Sequence, residues 1–243
     1  MAQRTRPKSY CHTADHAKLR QRWRRWLPGL RQDLTHLLGK REIFWELQDV
    51  AKENSRVLNP GSFFEWMCQN YVVTVSVGIR SFTDQHAKSH SLWRMLYEIL
   101  ENPGSIDRQT HARMYVVAPG AEYGHLTFDK VVGHNCQILS QRAVRTDLRK
   151  IEDASERVRL FVNKRIAHRN PPGKIRRLPR FNELDASLDA LDQVLCKYNL
   201  LLTAQGMESM HATRQYNWQQ VLWEPWIPVG SKLHPETQQS IQA

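Results

Sequence analysis

Apolar positions recur every three to four residues along most of this chain, and that periodicity predicts helices. Leu34, Leu37, Leu38, Trp45 and Val50 mark one face of a segment from about Leu30 to Asn54, weakened by Gly39 and stopped by Asn59-Pro60-Gly61. Residues 62–84 carry two conflicting signals. Val72-Val73-Thr74-Val75-Ser76-Val77 has strand propensity. Phe63, Met67, Tyr71, Val75, Ile79 and Phe82 keep helical spacing over a longer window, and Ser62 can cap it. The longer pattern predicts a helix. Ser89 or Ser91 caps the next, with Leu92, Leu96, Ile99 and Leu100 on one face and Asn102-Pro103-Gly104 at its end.

The pattern then changes. Residues 103–133 hold four of the eleven glycines (Gly104, Gly120, Gly124, Gly133) between short apolar runs, which predicts an inserted hairpin or lid. From Asn135 to Asn170 there is no Gly or Pro, and Val144, Leu148, Ile151, Val158, Phe161 or Val162, and Ile166 share a face. This is the longest predicted helix, and Pro171-Pro172-Gly173 stops it. Asn182 caps a last one, with Leu184, Leu188, Leu191, Leu195, Tyr198 and Leu202 inward and Gly206 at its end. The expected fold is all-α: an up-and-down bundle of four to five helices with an inserted hairpin or loop and a C-terminal extension. Residues 1–29 are expected to be a basic, disordered arm and 30–205 the helical domain. Residues 206–243, with Trp218, Trp223 and Trp226, are expected to be a tail packing on the body.

Charge sharpens this picture. The net charge is +11, but residues 1–31 carry +8 and residues 157–180 carry +9, which leaves −6 for the rest. Two concentrated basic segments favour a polyanionic partner over a merely soluble surface. In Arg20-Gln21-Arg22-Trp23-Arg24-Arg25-Trp26 the tryptophans fit either a nucleic-acid or membrane contact or the core face of a helix start. Cys11, Cys68, Cys136 and Cys196 form no CxxC pair and read as reduced thiols of a cytoplasmic protein. No signal peptide is evident, and no run is long enough to span a bilayer.

No phosphate-binding glycine loop, GxSxG or HExxH occurs, so nucleotide-cradle, serine-hydrolase and zinc-protease chemistry find no motif. His86 and His90, with Asp84, have a spacing that can hold a metal on a helix, but such histidines are more often a solvated face; neither metal nor cofactor is expected. The remaining candidate is His168. It ends the longest helix inside a stretch, Arg157 to Arg180, with nine Lys/Arg and no acid. Histidine moves protons near neutral pH, and the cations around it suit phosphate.

Asn163-Lys164-Arg165-Ile166-Ala167-His168-Arg169-Asn170 resembles the end of the signature helix in HEPN-superfamily domains, above all the abortive-infection, AbiU-type branch. Gly78-Ile79-Arg80-Ser81-Phe82-Thr83-Asp84 and the helix opened by Ser91-Leu92 are similar to that branch's second and third helices. The likeness covers about 60–205. It implies an all-α homodimer with signature helices facing each other, and a metal-independent endoribonuclease of a phage-defence or toxin-like system. His168 would be the acid/base, Asn163 would orient it or the substrate, and Arg165 or Arg159 would bind phosphate. Arg169, Lys174, Arg176 and Arg177 would follow the RNA backbone. An antitoxin or another protein is a further possible partner. The sequence departs from the family where its arginine is expected, at Val162. That departure keeps open an inactive module that binds RNA, a nucleotide or a protein.

Overall fold

The computed structural model describes residues 11–58, 61–115, 120–166, 179–227 and 229–231. Among the described residues seven α-helices follow in order: α1 Cys11–Glu53, α2 Ser62–Phe82, α3 Leu92–Glu101, α4 Arg108–Ala112, α5 Gly120–Val132, α6 Gln141–Phe161 and α7 Phe181–Thr203. Val162–Ile166 continues α6 as a π turn, and short 3-10 turns cover Ser55–Leu58 and Trp218–Leu222. No strand occurs among the described residues. The chain divides into two compact units, Met1–His211 and Ala212–Ala243.

The first unit is the expected all-helical bundle. α7 packs against α6, α1, α2 and α4, and α6 against α3 and α2. Leu184, Leu188, Leu191, Leu195 and Tyr198 of α7 are wholly buried, with Ile151 and Val158 of α6, Val75 and Ile79 of α2, and Leu34 and Leu38 of α1. Burial of each such side chain contributes about 1.5–3 kcal/mol. α2 is helical through its β-branched run because Tyr71, Val75, Ile79 and Phe82 put one stripe into the core. Gly78 lets α1 approach α2: a Cβ there would lie 2.6 Å from Leu37 Cδ2. Ser91 caps α3 through Arg94 N–H, at 3.0 Å. Arg180, rather than Asn182, is the N-cap of α7, with the Glu183 side chain accepting from Arg180 N–H at 2.8 Å.

Two expectations are corrected here. The basic segment is not a disordered arm as far as residue 29, because α1 already begins at Cys11 and runs 43 residues. Trp23 and Leu27 are buried, and Arg20, Arg22 and Arg24 tie α1 to distant parts of the chain. Arg20 donates to Ser105 O at 2.9 Å, Arg24 to Leu202 O at 2.6 Å and Arg22 to Glu98 Oε2 at 2.5 Å. Glu98 also accepts from Trp23 Nε1 at 2.8 Å and Arg94 Nε at 3.3 Å, so this buried carboxylate faces three donors. Positive charge that suggested a solvated tail therefore serves in part as structural donors.

The insertion at 103–133 is helical, not a hairpin. α4 and α5 pack against each other, and Gly124 is where they approach: a Cβ would lie 2.6 Å from Ala112 Cα. Arg108 hydrogen-bonds Asp129 and also donates to Cys136 O at 2.8 Å. His111 is buried between Leu201 O and Thr127 Oγ1, and burial holds its pKa below the ordinary value.

After α7, Asp192 secures the returning chain, accepting from Met210 N–H at 2.7 Å and Ser209 Oγ at 2.6 Å. The neighbouring Cys196 thiol is pushed up to about 12, first by burial and then by Asp192. It is a free but unreactive thiol, and Cys68 and Cys136 are free as well. In the second unit the Trp218–Leu222 turn is capped by Asn217, and Trp226 Nε1 donates to Val221 O at 2.9 Å.

Candidate nucleic-acid site at the end of α6

α6 is amphipathic, with Val144, Leu148, Ile151, Ser155 and Val158 buried, and it delivers its last turns to α2. There the hydrogen-bonding pattern widens into the π turn of residues 162–166. Such a turn adds about one residue per turn and is often found at functional sites. It also shifts the helical phase between Arg159, before the turn, and Arg165, within it. Val162 is buried, at 6% exposure, where the resemblance places arginine. An arginine there would need a charged group taken into the core.

Asn163 follows on the exposed side. Its Oδ1 accepts from Arg80 Nε of α2 at 3.2 Å. Arg80 Nη1 lies 3.1 Å from Asp84 Oδ1, one turn on, and both side chains are 31% exposed. Asn163 and Asp84 thus fix an arginine beside the signature turn, which lowers the entropy cost of using it. Arg165 is exposed, and Arg159 is half-buried with an Nε lacking a partner among the described residues. Arg157 is engaged by Glu183 at 3.1 Å.

The structure therefore brings Asn163 to an arginine that sequence reasoning did not select. A signal existed: Arg80 and Asp84 are four apart in the stretch 78–84 that carried part of the resemblance. Which helix end they face was not legible. His168, Arg169, Lys174, Arg176 and Arg177 lie outside the described residues. His86 and His90 are not on a helix but in the loop between α2 and α3, so the spacing argument for a metal does not apply. His86 Nδ1 accepts from Lys88 N–H at 3.3 Å, and His90 stacks on Trp26 with ring centroids 4.8 Å apart. No group of three metal-ligating side chains occurs among the described residues.

An all-helical bundle whose long penultimate helix ends in a cation-lined π turn is the class this geometry defines. A family model, HEPN_AbiU2, described as AbiU2, matches residues 20–219, which takes in most of α1 as well as the region already noted. The chain belongs to this family of abortive-infection HEPN domains. It matches no curated protein and no solved structure. No helix among the described residues is long and apolar enough to cross a membrane.

Proposed function

We propose that this protein is a metal-independent endoribonuclease acting in abortive infection. The observation that carries the reading is the Arg80–Asn163 contact, which sets a cation beside the turn that leads to His168 five residues on. In this reaction His168 takes the proton of a ribose 2′-OH. The 2′-oxygen bonds to the adjacent phosphorus, the bond from phosphorus to the 5′-oxygen breaks, and that oxygen takes a proton from water as it leaves, while His168 returns its own proton to solvent. Charge gathers on the non-bridging oxygens, where Arg80, with Arg165 or Arg159, stabilises it. Arg169, Lys174, Arg176 and Arg177 continue the cationic path, and a cytoplasmic setting suits such a reaction.

A homodimer fits the same reading. Phe63, Trp66, Asn70, Val73, Val77 and Arg80 recur at spacings of three and four along α2, the pattern of helix pairing. The four apolar members are exposed, Trp66 at 57%. From Trp66 to Ile79 there is no charged residue, so two copies of α2 meet without repulsion. Because Arg80 ends this stripe, two-fold pairing gathers two sites along one interface. The expected mass by light scattering is that of two chains, and a mass of one chain at micromolar concentration would exclude the pairing. An antitoxin or another protein would be a further partner.

The test is incubation of purified protein with single-stranded RNA in EDTA. Cleavage is expected, with 2′,3′-cyclic phosphate and 5′-hydroxyl ends. Buried Val162 favours the second reading, a module that binds RNA without cutting it. Intact RNA with retained, steeply salt-dependent binding would establish that reading in place of the first.

A further inference from the structure

Beside the α6 terminus lies a groove that the catalytic reading does not use. Arg22, Trp26, Gly29 and Asp33 recur at spacings of four, three and four on one face of α1, and His90 faces them from the loop between α2 and α3. They border an open pocket of about 540 Å³. A second open pocket, of about 230 Å³, shares Leu30, Asp33 and His90 with the first and reaches Ser81 and Asp84. Asp84 is the ion-pair partner of Arg80, so the groove leads to the Arg80–Asn163 contact.

Three features give this groove a chemistry. The first is the stack of His90 on Trp26, with rings inclined by 21° and the Arg22 guanidinium 5.8 Å from the Trp26 centroid. Trp26 stacks on the exposed His90 ring, which lines both pockets. The loop that carries His90 is held in place: Ser91 Oγ donates to Asp84 O at 2.5 Å, and Ser89 Oγ to the same oxygen at 3.2 Å. The second is the set of charges. Arg25 lines the first pocket, Asp84 the second, and Asp33 both. Carboxylates repel phosphate but accept from the N–H groups of a base, so they favour a base in the pocket and leave the backbone to Arg25. The third is Gly29, inside an α-helix, where glycine costs about 1 kcal/mol relative to alanine. A Cβ there would meet nothing within 4 Å, so no packing requires the glycine; its missing side chain leaves the pocket open.

We propose that this groove is a base-binding subsite for an unpaired nucleotide of single-stranded RNA, which stacks on His90 beside Trp26 while the strand runs on toward Arg80. The inference rests on the ribonuclease or RNA-binding reading above. A nucleobase stacks on aromatic side chains in a largely sequence-tolerant way, and a base locked in a duplex cannot enter.

The experiment measures binding of a labelled single-stranded RNA octamer of mixed sequence by anisotropy, using His168→Ala protein to prevent cleavage. Gly29→Leu fills the pocket from a position where an added Cβ meets no neighbour, and it raises helix propensity. It is expected to weaken the octamer about tenfold to a hundredfold while the thermal midpoint stays level or rises. Gly29→Ala, one methyl at the same position, is expected to weaken binding less than Gly29→Leu. His90→Ala, which removes the exposed ring, is expected to weaken binding to a similar degree as Gly29→Leu. The octamer annealed to its complement and free guanosine monophosphate serve as further probes. Octamer affinity unchanged in Gly29→Leu would overturn the subsite even if the protein cleaves RNA. Duplex bound as tightly as single strand would overturn it also, as would the free nucleotide competing at the octamer's own affinity. Absence of any RNA binding or cleavage by the unaltered chain would remove the parent reading and the subsite together.

Discussion

His168→Ala is expected to lower the proposed RNA cleavage by about a hundredfold to ten-thousandfold, the usual range for losing a general acid–base group. Binding of intact RNA is expected to fall much less, because the cations proposed to hold phosphate are untouched. Arg80→Ala is the companion experiment. If Arg80 stabilises the phosphorane charge, its loss costs about a hundredfold to a thousandfold in rate, as removal of one preorganised donor does. The folded state is little affected, since the Asn163 bond and the Asp84 ion pair are both partly exposed. Single-turnover kinetics with saturating protein separates the rate of the chemical step from binding. Cleavage that survives Arg80→Ala but not Arg165→Ala or Arg159→Ala would assign the phosphate contact to α6 instead. Cleavage that survives His168→Ala would move the chemistry to another site.

Trp23→Ala destabilises the fold by about 3–5 kcal/mol, the range for truncating a fully buried aromatic. Trp23 is wholly buried, and its indole N–H is one of three donors to the Glu98 carboxylate. The truncation leaves a cavity between α1 and α3 and weakens the support of a buried charge, and an under-satisfied buried group adds its own cost. Trp23→Phe keeps most of the ring but not the donor and is expected to fall between the two. The urea midpoint of each variant measures the effect. A loss below about 1 kcal/mol for Trp23→Ala would mean that this half of α1 contributes little and behaves as a detachable arm.

That second experiment bears on the part of the chain whose sequence was most misleading. Residues 1–29 have the composition of a solvated tail, yet residues 15–29 lie within a helix that carries buried Trp23 and Leu27. Composition counts charges without saying where their partners are. The acceptors of Arg20, Arg22 and Arg24 lie at Ser105, Glu98 and Leu202, and such pairings have no local signature. The insertion shows the same limit. Glycines and short apolar runs fit a hairpin as well as two short helices, and the close approach of Gly124 to Ala112 exists only once α4 and α5 meet. In α2 the reverse holds: a long helical period outweighed a short β-branched run, because the period reports which residues face the core.

The sequence by itself determined the all-helical class, the main helices and the likeness to abortive-infection HEPN domains. These follow from periodicity, caps and a contiguous motif, all of which are local. Tertiary structure decided what no local pattern holds. It turned the end of α6 into a π turn, buried Val162, set Arg80 against Asn163 across 83 residues and opened a groove between His90 and Gly29. Each depends on which helix lies beside which, and that is settled by packing the whole core rather than by any one segment.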